Sequence, residues 1–275
     1  MLTPGDALAL VRQKRPVLHH IMNQVTMSFV ANGVLALGGR PMMARHPDEA
    51  AEAASKADGL VLNLGTPTPE TIEAMLLAGK AARVKGIPIV FDPVGVGLSA
   101  MRGDAATRIL EELHPTAICG NAAELSYLLT REWHGKGIDA AAPVSDPVEI
   151  AVQVARRYRC LAVLTGKTDV ICGGRLIATS GHGDEWLTLV TGTGCLATSI
   201  VALFLAAIHS AEAGSKPHAS WEASIAAVCT LGIAAEEARL AAAGPGKFQQ
   251  ELLDQLYTLQ PALINTRAEI RLHSR

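Results

Sequence analysis

The stretch "VTGTGC", Val190 to Cys195, delivers a thiol to the start of a long apolar run behind two glycines. Glycines before a helix let backbone N–H groups converge and let a ligand approach closely, and the helix dipole adds partial positive charge there. Residues 192 to 195 therefore read as an anion hole, with Gly192 and Gly194 bracketing Thr193. A cysteine in that first turn is expected to have a lowered pKa and to serve as a base or nucleophile. Its ordinary alternative is a small buried hydrophobe. Two carboxylates stand in comparable settings. Asp92 in "FDPVGVG" leaves an apolar run into a proline and two glycines, which predicts an exposed carboxylate beside phosphate-friendly backbone. Glu124 in "GNAAEL" follows Asn121 by three residues, the spacing of a capping box. Magnesium in phosphoryl transfer needs only one or two carboxylates, with water and phosphate oxygens completing its shell, so Asp92 and Glu124 fit that sparse requirement.

Short apolar runs hold these residues in place. "GLVLNLG" from Gly59, "IPIVFDPVG" from Ile87, "TAICGN" from Thr116 and "LAVLTG" from Leu161 read as buried strands. Helical stretches at Thr68 to Lys85, Gly103 to Leu113 and Asp146 to Tyr158 alternate with them. Strand–helix–strand spacing of this kind predicts an α/β fold with a mostly parallel sheet, whose ligands gather at the carboxyl ends of the strands. Asn63, Asp92, Asn121, Glu124 and Thr165 all stand just there, although each type is also an ordinary turn or cap residue. "DVICGGRLIATSGH" predicts a hairpin turning at Gly173-Gly174. From Cys195 onward the pattern is nearly all helix: to about Ser210, then Ser220 to about Ala243, then Phe248 to about Leu259, broken by "AEAGSKPHA" and "AGPGK". No repeat or long linker interrupts residues 1–275, which predicts a single domain.

Composition narrows the function. Hydrophobic residues at 49% against 18% charged give a large core and argue against disorder. A net charge of -2 argues against nucleic acid or acidic lipid as a partner. The five cysteines lack paired metal-ligand spacing, as suits a reducing compartment. The N-terminus lacks a cationic start and apolar core, and the run from Cys195 to Ile208 is short for a membrane span, so the expectation is a soluble cytoplasmic protein. "LTGKT" at Leu164 to Thr168 imitates the end of a P-loop but lacks its first glycine and leads to a hairpin. "GVGLSA" at Gly95 lacks the third glycine of a dinucleotide fingerprint.

"DPVGVG", "GNAAE" and "VTGTGC", in this order, resemble the hydroxyethylthiazole kinase family of the ribokinase-like superfamily. The N-terminal "VLHHIMNQVTMSFVANGVLALGGRPMMA", "LVLNLGT" and "AGPGKFQQELLDQLY" are similar to it as well, so the likeness covers nearly the whole chain. The resemblance implies a three-layer α/β/α sandwich that phosphorylates the hydroxyl of 4-methyl-5-(2-hydroxyethyl)thiazole with ATP and Mg2+, a salvage step toward thiamine. It implies a homotrimer with the thiazole held at subunit contacts. Carried across, Asn23, Met43 and Gly192 belong to the substrate end with Val25 and Thr26 as neighbours, while Asp92 and Glu124 fall on the metal and phosphate positions. Cys119, Asn121, Thr165 and Gly194 fall on the nucleotide side, and Cys195 stands where most ribokinase relatives have a catalytic aspartate.

This chain departs from the pattern at two places. Cys119 replaces the arginine that usually precedes the glycine of "GNAAE", leaving Lys167 or Arg102 to compensate, and His20 replaces an asparagine. Two other functions fit the residues less well: a kinase of another small alcohol such as hydroxymethylpyrimidine, and a thiazole- or nucleotide-binding protein with little catalysis, which Cys119 suggests.

Overall fold

The computed structural model describes residues 2–133, 146–211 and 217–273. The central residues of the expected break "AEAGSKPHA", 212–216, lie outside them. The chain runs α1 (Pro4–Lys14), β1 (Val17–Ile21), α2 (Met27–Ala36), β2 (Arg40–Met42), α3 (Pro47–Lys56), β3 (Gly59–Asn63), α4 (Pro69–Lys85), β4 (Ile89–Asp92), α5 (Ala100–Leu113) and β5 (Ala117–Asn121). It continues α6 (Ala122–Thr130), α7 (Pro147–Tyr158), β6 (Leu161–Thr165), β7 (Asp169–Gly173), β8 (Leu176–Ser180), α8 (Thr193–Ala211), α9 (Pro217–Ala241), α10 (Pro245–Thr258), α11 (Pro261–Arg267) and β9 (Ile270–His273).

The strands form one sheet in the order β2-β1-β3-β4-β5-β6-β7-β8-β9. Pairings from β2 through β6 are parallel, and those from β6 to β9 are antiparallel. Alternation along each strand divides the core in two. Leu18, Val61, Val90 and Val163 pack on one face with α1, α2 and α8–α11. Ile21, Leu62, Phe91 and Leu164 pack on the other with α3–α7. Together these are the three layers of an α/β/α sandwich.

Local chemistry explains the boundaries. Thr68 caps α4 with Pro69 at its first position, and Gly86 ends it in the left-handed region at φ 79°. The stretch Thr193–Ser210 of α8 has the length and apolarity of a membrane span, yet it is mostly buried and packs between the sheet and α1, α2 and α9. Alanines such as Ala202, Ala206, Ala227 and Ala234 pack among the larger Leu, Ile, Val and Phe side chains of this layer. The C-terminal expectation of nearly continuous helix is corrected by β9, which returns to pair with β8.

The crossover from β1 through α2 lies on one face, and those from β2 and β3 through α3 and α4 lie on the other. The order 2-1-3 thus opens a crevice at the carboxyl ends of β1 and β3, the place where such sheets receive ligands.

Candidate active site

Asn23, just past β1, and Asn63, the last residue of β3, face each other across that crevice. Asn23 Nδ2 donates to Asn63 Oδ1 at 3.1 Å, and the Gly65 N–H donates to the same oxygen at 3.0 Å. Those two bonds fix the Asn63 amide so that its NH2 group points at Asp92 and Cys195. Nδ2 donates to Asp92 Oδ2 at 2.8 Å and to Cys195 Sγ at 3.2 Å, while Asn23 Nδ2 reaches the same sulfur at 3.5 Å. Thr198, one helical turn beyond Cys195 on α8, donates to Asp92 Oδ2 at 3.1 Å. Four elements from across the chain meet at one carboxylate and one thiol.

The first turn of α8 supplies donors. The Leu196 N–H is the first to find a partner, Gly192 C=O at 2.8 Å, so the amides of residues 193 to 195 precede the helical ladder. Gly192 has φ 98°, and a Cβ there would sit 2.7 Å from two Thr26 carbons, so only glycine fits. Thr26 itself is tied to Asn23 Oδ1 through its N–H at 2.9 Å and its hydroxyl at 3.1 Å. The structure therefore joins Asn23, Thr26, Gly192 and Cys195 in one cluster. Met43 follows β2 and packs half-buried against the α2–α8 core, and Val25 is 71% exposed, so neither joins the hydrogen-bonded network.

Electrostatics correct two expectations. Cys195 is half-buried, and its thiol is pushed up to about 12 rather than lowered. Burial is the main cause and the Asp92 charge the second, outweighing side-chain hydrogen bonds from Thr26, Asn63 and Asn23. Asp92 is 3% exposed, not open to solvent, because α8 and Asn63 close over it. Burial and then the nearby Glu124 charge raise its pKa well above the usual carboxylate range, against the bonds from Thr198 and Asn63.

Glu124 is the acid of a complete capping box at the start of α6. Its Oε2 accepts from the Asn121 N–H at 3.0 Å, and Asn121 Oδ1 accepts from the Glu124 N–H at 2.9 Å. Glu124 Oε1 also accepts from the Gly95 N–H at 2.9 Å, joining α6 to the loop after β4. Burial raises the Glu124 pKa, while the Asn121 and Gly95 N–H groups and the Arg102 charge lower it. Two buried carboxylates that repel each other are a hard-oxygen pair short of positive charge, which fits a divalent cation. Among the described residues no group of three His, Cys, Asp or Glu could hold a metal, so water or phosphate oxygens would fill the remaining positions.

A cleft of about 640 Å3 lies alongside, between β6, the loop after β8, the start of α8 and the middle of α9. Thr165, Thr193 and Gly194 line it, as do Lys167 and the acidic Asp169, Asp184 and Glu185. Lys167 is the one lysine or arginine among its described lining residues. Asp169 accepts from the Gly166 N–H at 2.9 Å and closes the turn that presents Lys167.

The nucleotide side needs correction. Cys119 is 1% exposed in the core on the inner side of β5, and burial followed by the Asp92 charge raises its thiol far up. It does not line the cleft, and neither does Asn121, whose side-chain oxygen is occupied by the cap. Arg102 Nη1 donates to the carbonyls of Leu64 at 2.8 Å and Val94 at 2.6 Å, so it braces loops rather than facing the cleft. His20 is 0% exposed on the Leu18 side of β1, and burial takes its pKa to about 4. It is a neutral core residue. Asn63, expected at the ligand edge of the sheet, and Thr198, to which the sequence reading assigns no role, complete the site; Thr198 sits three residues after Cys195 on the same helix face, the signal that could have found it.

Comparison with known proteins identifies the family. A model of the hydroxyethylthiazole kinase family matches residues 8–262. The structure of hydroxyethylthiazole kinase from Pyrococcus horikoshii OT3 superposes with a TM-score of 0.87 at 34% identity, covering 98% of this chain and 99% of that one. More distant structures share the fold alone. They include a ribokinase-like superfamily protein from Enterococcus faecalis V583, at TM-score 0.57 and 14% identity over 92% of this chain and 95% of that one. Another is ADP/ATP-dependent NAD(P)H-hydrate dehydratase from Bacillus subtilis, co-crystallised with ATP/Mg2+ and soaked with CoA, at 0.56 and 13% over 94% and 97%. The chain belongs to the hydroxyethylthiazole kinase family.

Proposed function

We propose that the protein transfers the γ-phosphoryl group of ATP to the primary alcohol of 4-methyl-5-(2-hydroxyethyl)thiazole. In this reading residues 1–275 act as one cytoplasmic kinase domain in thiamine salvage. The observation that carries it is the single cluster in which Asn23 and Asn63 hold Cys195, in the first turn of α8, together with Asp92.

Direct transfer needs three things at one point: an acceptor hydroxyl, a place for its proton and donors for the migrating charge. The alcohol sits over Cys195 with Asn23, Thr26 and Gly192 around it. The amides of Thr193, Gly194 and Cys195 receive the equatorial phosphoryl oxygens. The nucleotide lies in the 640 Å3 cleft against Thr165 and Gly194, with Lys167 supplying positive charge to the polyphosphate. Asp92 and Glu124 would hold Mg2+, which would neutralise charge on the phosphates.

Cys195 is the place for the hydroxyl proton. The side-chain donors from Thr26, Asn63 and Asn23 favour its thiolate, against burial and the Asp92 charge. The thiolate then takes the hydroxyl proton as the alcohol oxygen bonds to the γ-phosphorus and ADP departs.

A homotrimer with the thiazole at subunit contacts suits the surface beside the site. Val25 is 71% exposed and Leu189 58%, close along the chain to Thr26 and Gly192, and a second copy would cover them. Met43 completes the substrate end in that arrangement.

A coupled assay of ATP consumption tests the reading. Turnover dependent on hydroxyethylthiazole is expected. Preference for hydroxymethylpyrimidine would reassign the substrate, and binding without turnover would make the protein a sensor.

A further inference from the structure

A second cavity, of about 530 Å3, lies on the helical face formed by α5, α6 and α7, and the kinase reaction does not use it. Arg131, Arg157, Arg159 and His114 line it, and Glu111 is its one acidic lining residue. Leu110 and Leu128 give it an apolar wall.

The backbone sets this cavity apart. His114, Arg131 and Arg159 end α5, α6 and α7, and each holds a left-handed conformation, at φ 47°, 65° and 52°. Glycine is the default residue at such a helix end, because an L side chain there costs roughly 1–2 kcal/mol. Three of the five non-glycine positive-φ residues described rim this one cavity, and each of the three carries a basic side chain into it. Retained strain of this kind points to a function for the side chain.

Two of the cations, Arg131 and Arg157, are also held in advance. Arg131 Nη1 donates to Gly103 C=O at 3.0 Å and Nη2 to the Thr107 hydroxyl, while Arg157 Nη1 donates to Leu129 C=O at 2.9 Å. Their remaining N–H groups are preorganised for an incoming acceptor. No ion pair among the described residues joins Arg131, Arg157 or Arg159 to a carboxylate. The Tyr158 hydroxyl, donating to Leu128 C=O at 2.7 Å, stands within the field of both Arg157 and Arg131.

We propose that this cavity binds a small phosphorylated molecule, its phosphate on Arg131, Arg157 and Arg159 and its apolar body on Leu110 and Leu128. Guanidinium groups match phosphate oxygens in pairs, and three of them against one carboxylate leave a net attraction for a dianion.

Phenyl phosphate is the probe, with inorganic phosphate as the comparison, on the full chain by calorimetry and thermal shift. One site is expected, raising Tm, and phenyl phosphate should bind more tightly. Arg159→Gly relieves the left-handed strain and removes one cation. It should keep or raise Tm without ligand and weaken phenyl phosphate about tenfold. Lys167→Ala, in the catalytic cleft, should leave that affinity unchanged. Parent-like affinity in Arg159→Gly overturns the proposal. So does loss of binding in Lys167→Ala, which would place the probe in the catalytic cleft. Equal affinity for the two probes removes the apolar half of the assignment.

Discussion

Asn63 Nδ2 lies 3.2 Å from Cys195 Sγ and, from the same nitrogen, donates to Asp92 at 2.8 Å. One amide thus couples the thiol to the carboxylate that opposes its ionisation. Asn63→Ala strips a buried charge of a donor, so it should cost about 1–3 kcal/mol of stability and about tenfold in kcat. Urea midpoints and steady-state turnover at saturating ATP check the two effects separately.

The proton-acceptor role of Cys195 has a pH signature. A thiol held at about 12 in the ligand-free protein ionises more readily as pH rises, so kcat should climb on the alkaline side. Cys195→Asp supplies a group that ionises several units lower, which moves the plateau to lower pH and keeps much of the activity. Cys195→Ala should lose about 10²-fold. A parent profile flat from about pH 6 to 10 would remove the thiol from the reaction.

Lys167 predicts a split between kinetic constants. Its charge meets the polyphosphate, not the alcohol, so Lys167→Ala should raise KM for ATP about tenfold and leave KM for the thiazole unchanged. Lys167→Arg should restore ATP binding. An unchanged KM for ATP in the alanine variant would assign the polyphosphate to another cation.

Asp169 carries a pH dependence of stability. Burial lifts its carboxyl to about 7 from 3.8, with the Gly166 N–H pulling the other way. The folded chain therefore holds a proton that the unfolded chain loses near pH 4, and stability falls as pH rises from about 4 through 7. Asp169→Asn keeps the acceptor for Gly166 without the titration. It should match the parent near pH 4 and exceed it by about 1–2 kcal/mol at pH 8, less than the roughly 4 kcal/mol of a fully buried group. Urea midpoints at the two pH values measure the difference.

Strands β3 to β6 were legible because continuous apolar runs ending in Asn63, Asp92, Asn121 and Thr165 announce a buried parallel sheet and its ligand edge. Strand β1 was harder, since "VLHHI" conceals a buried strand behind His19 and His20, both shielded as neutral core groups. The short pattern "IRLH" of β9 carries little signal until β8 offers an edge to pair with. The glycine-led start of α8 was readable from residue types alone. The sign of the Cys195 shift was not, because it depends first on burial of the thiol by the assembled fold and then on Asp92, a residue 103 positions away in sequence. Cys119 shows the same limit: spacing aligns it with a contact residue, but strand alternation turns its short side chain into the core.

The Asn23–Cys195 contact spans 172 positions, and Thr198 reaches Asp92 across 106. Such separations make the catalytic geometry a late product of folding, since no local hairpin or helix pair contains it. Turnover regained after dilution from denaturant should therefore follow the slowest recovery of tertiary structure and lag the return of helix. Enzymatic competence is, for this molecule, a gauge of whether the entire sheet has closed.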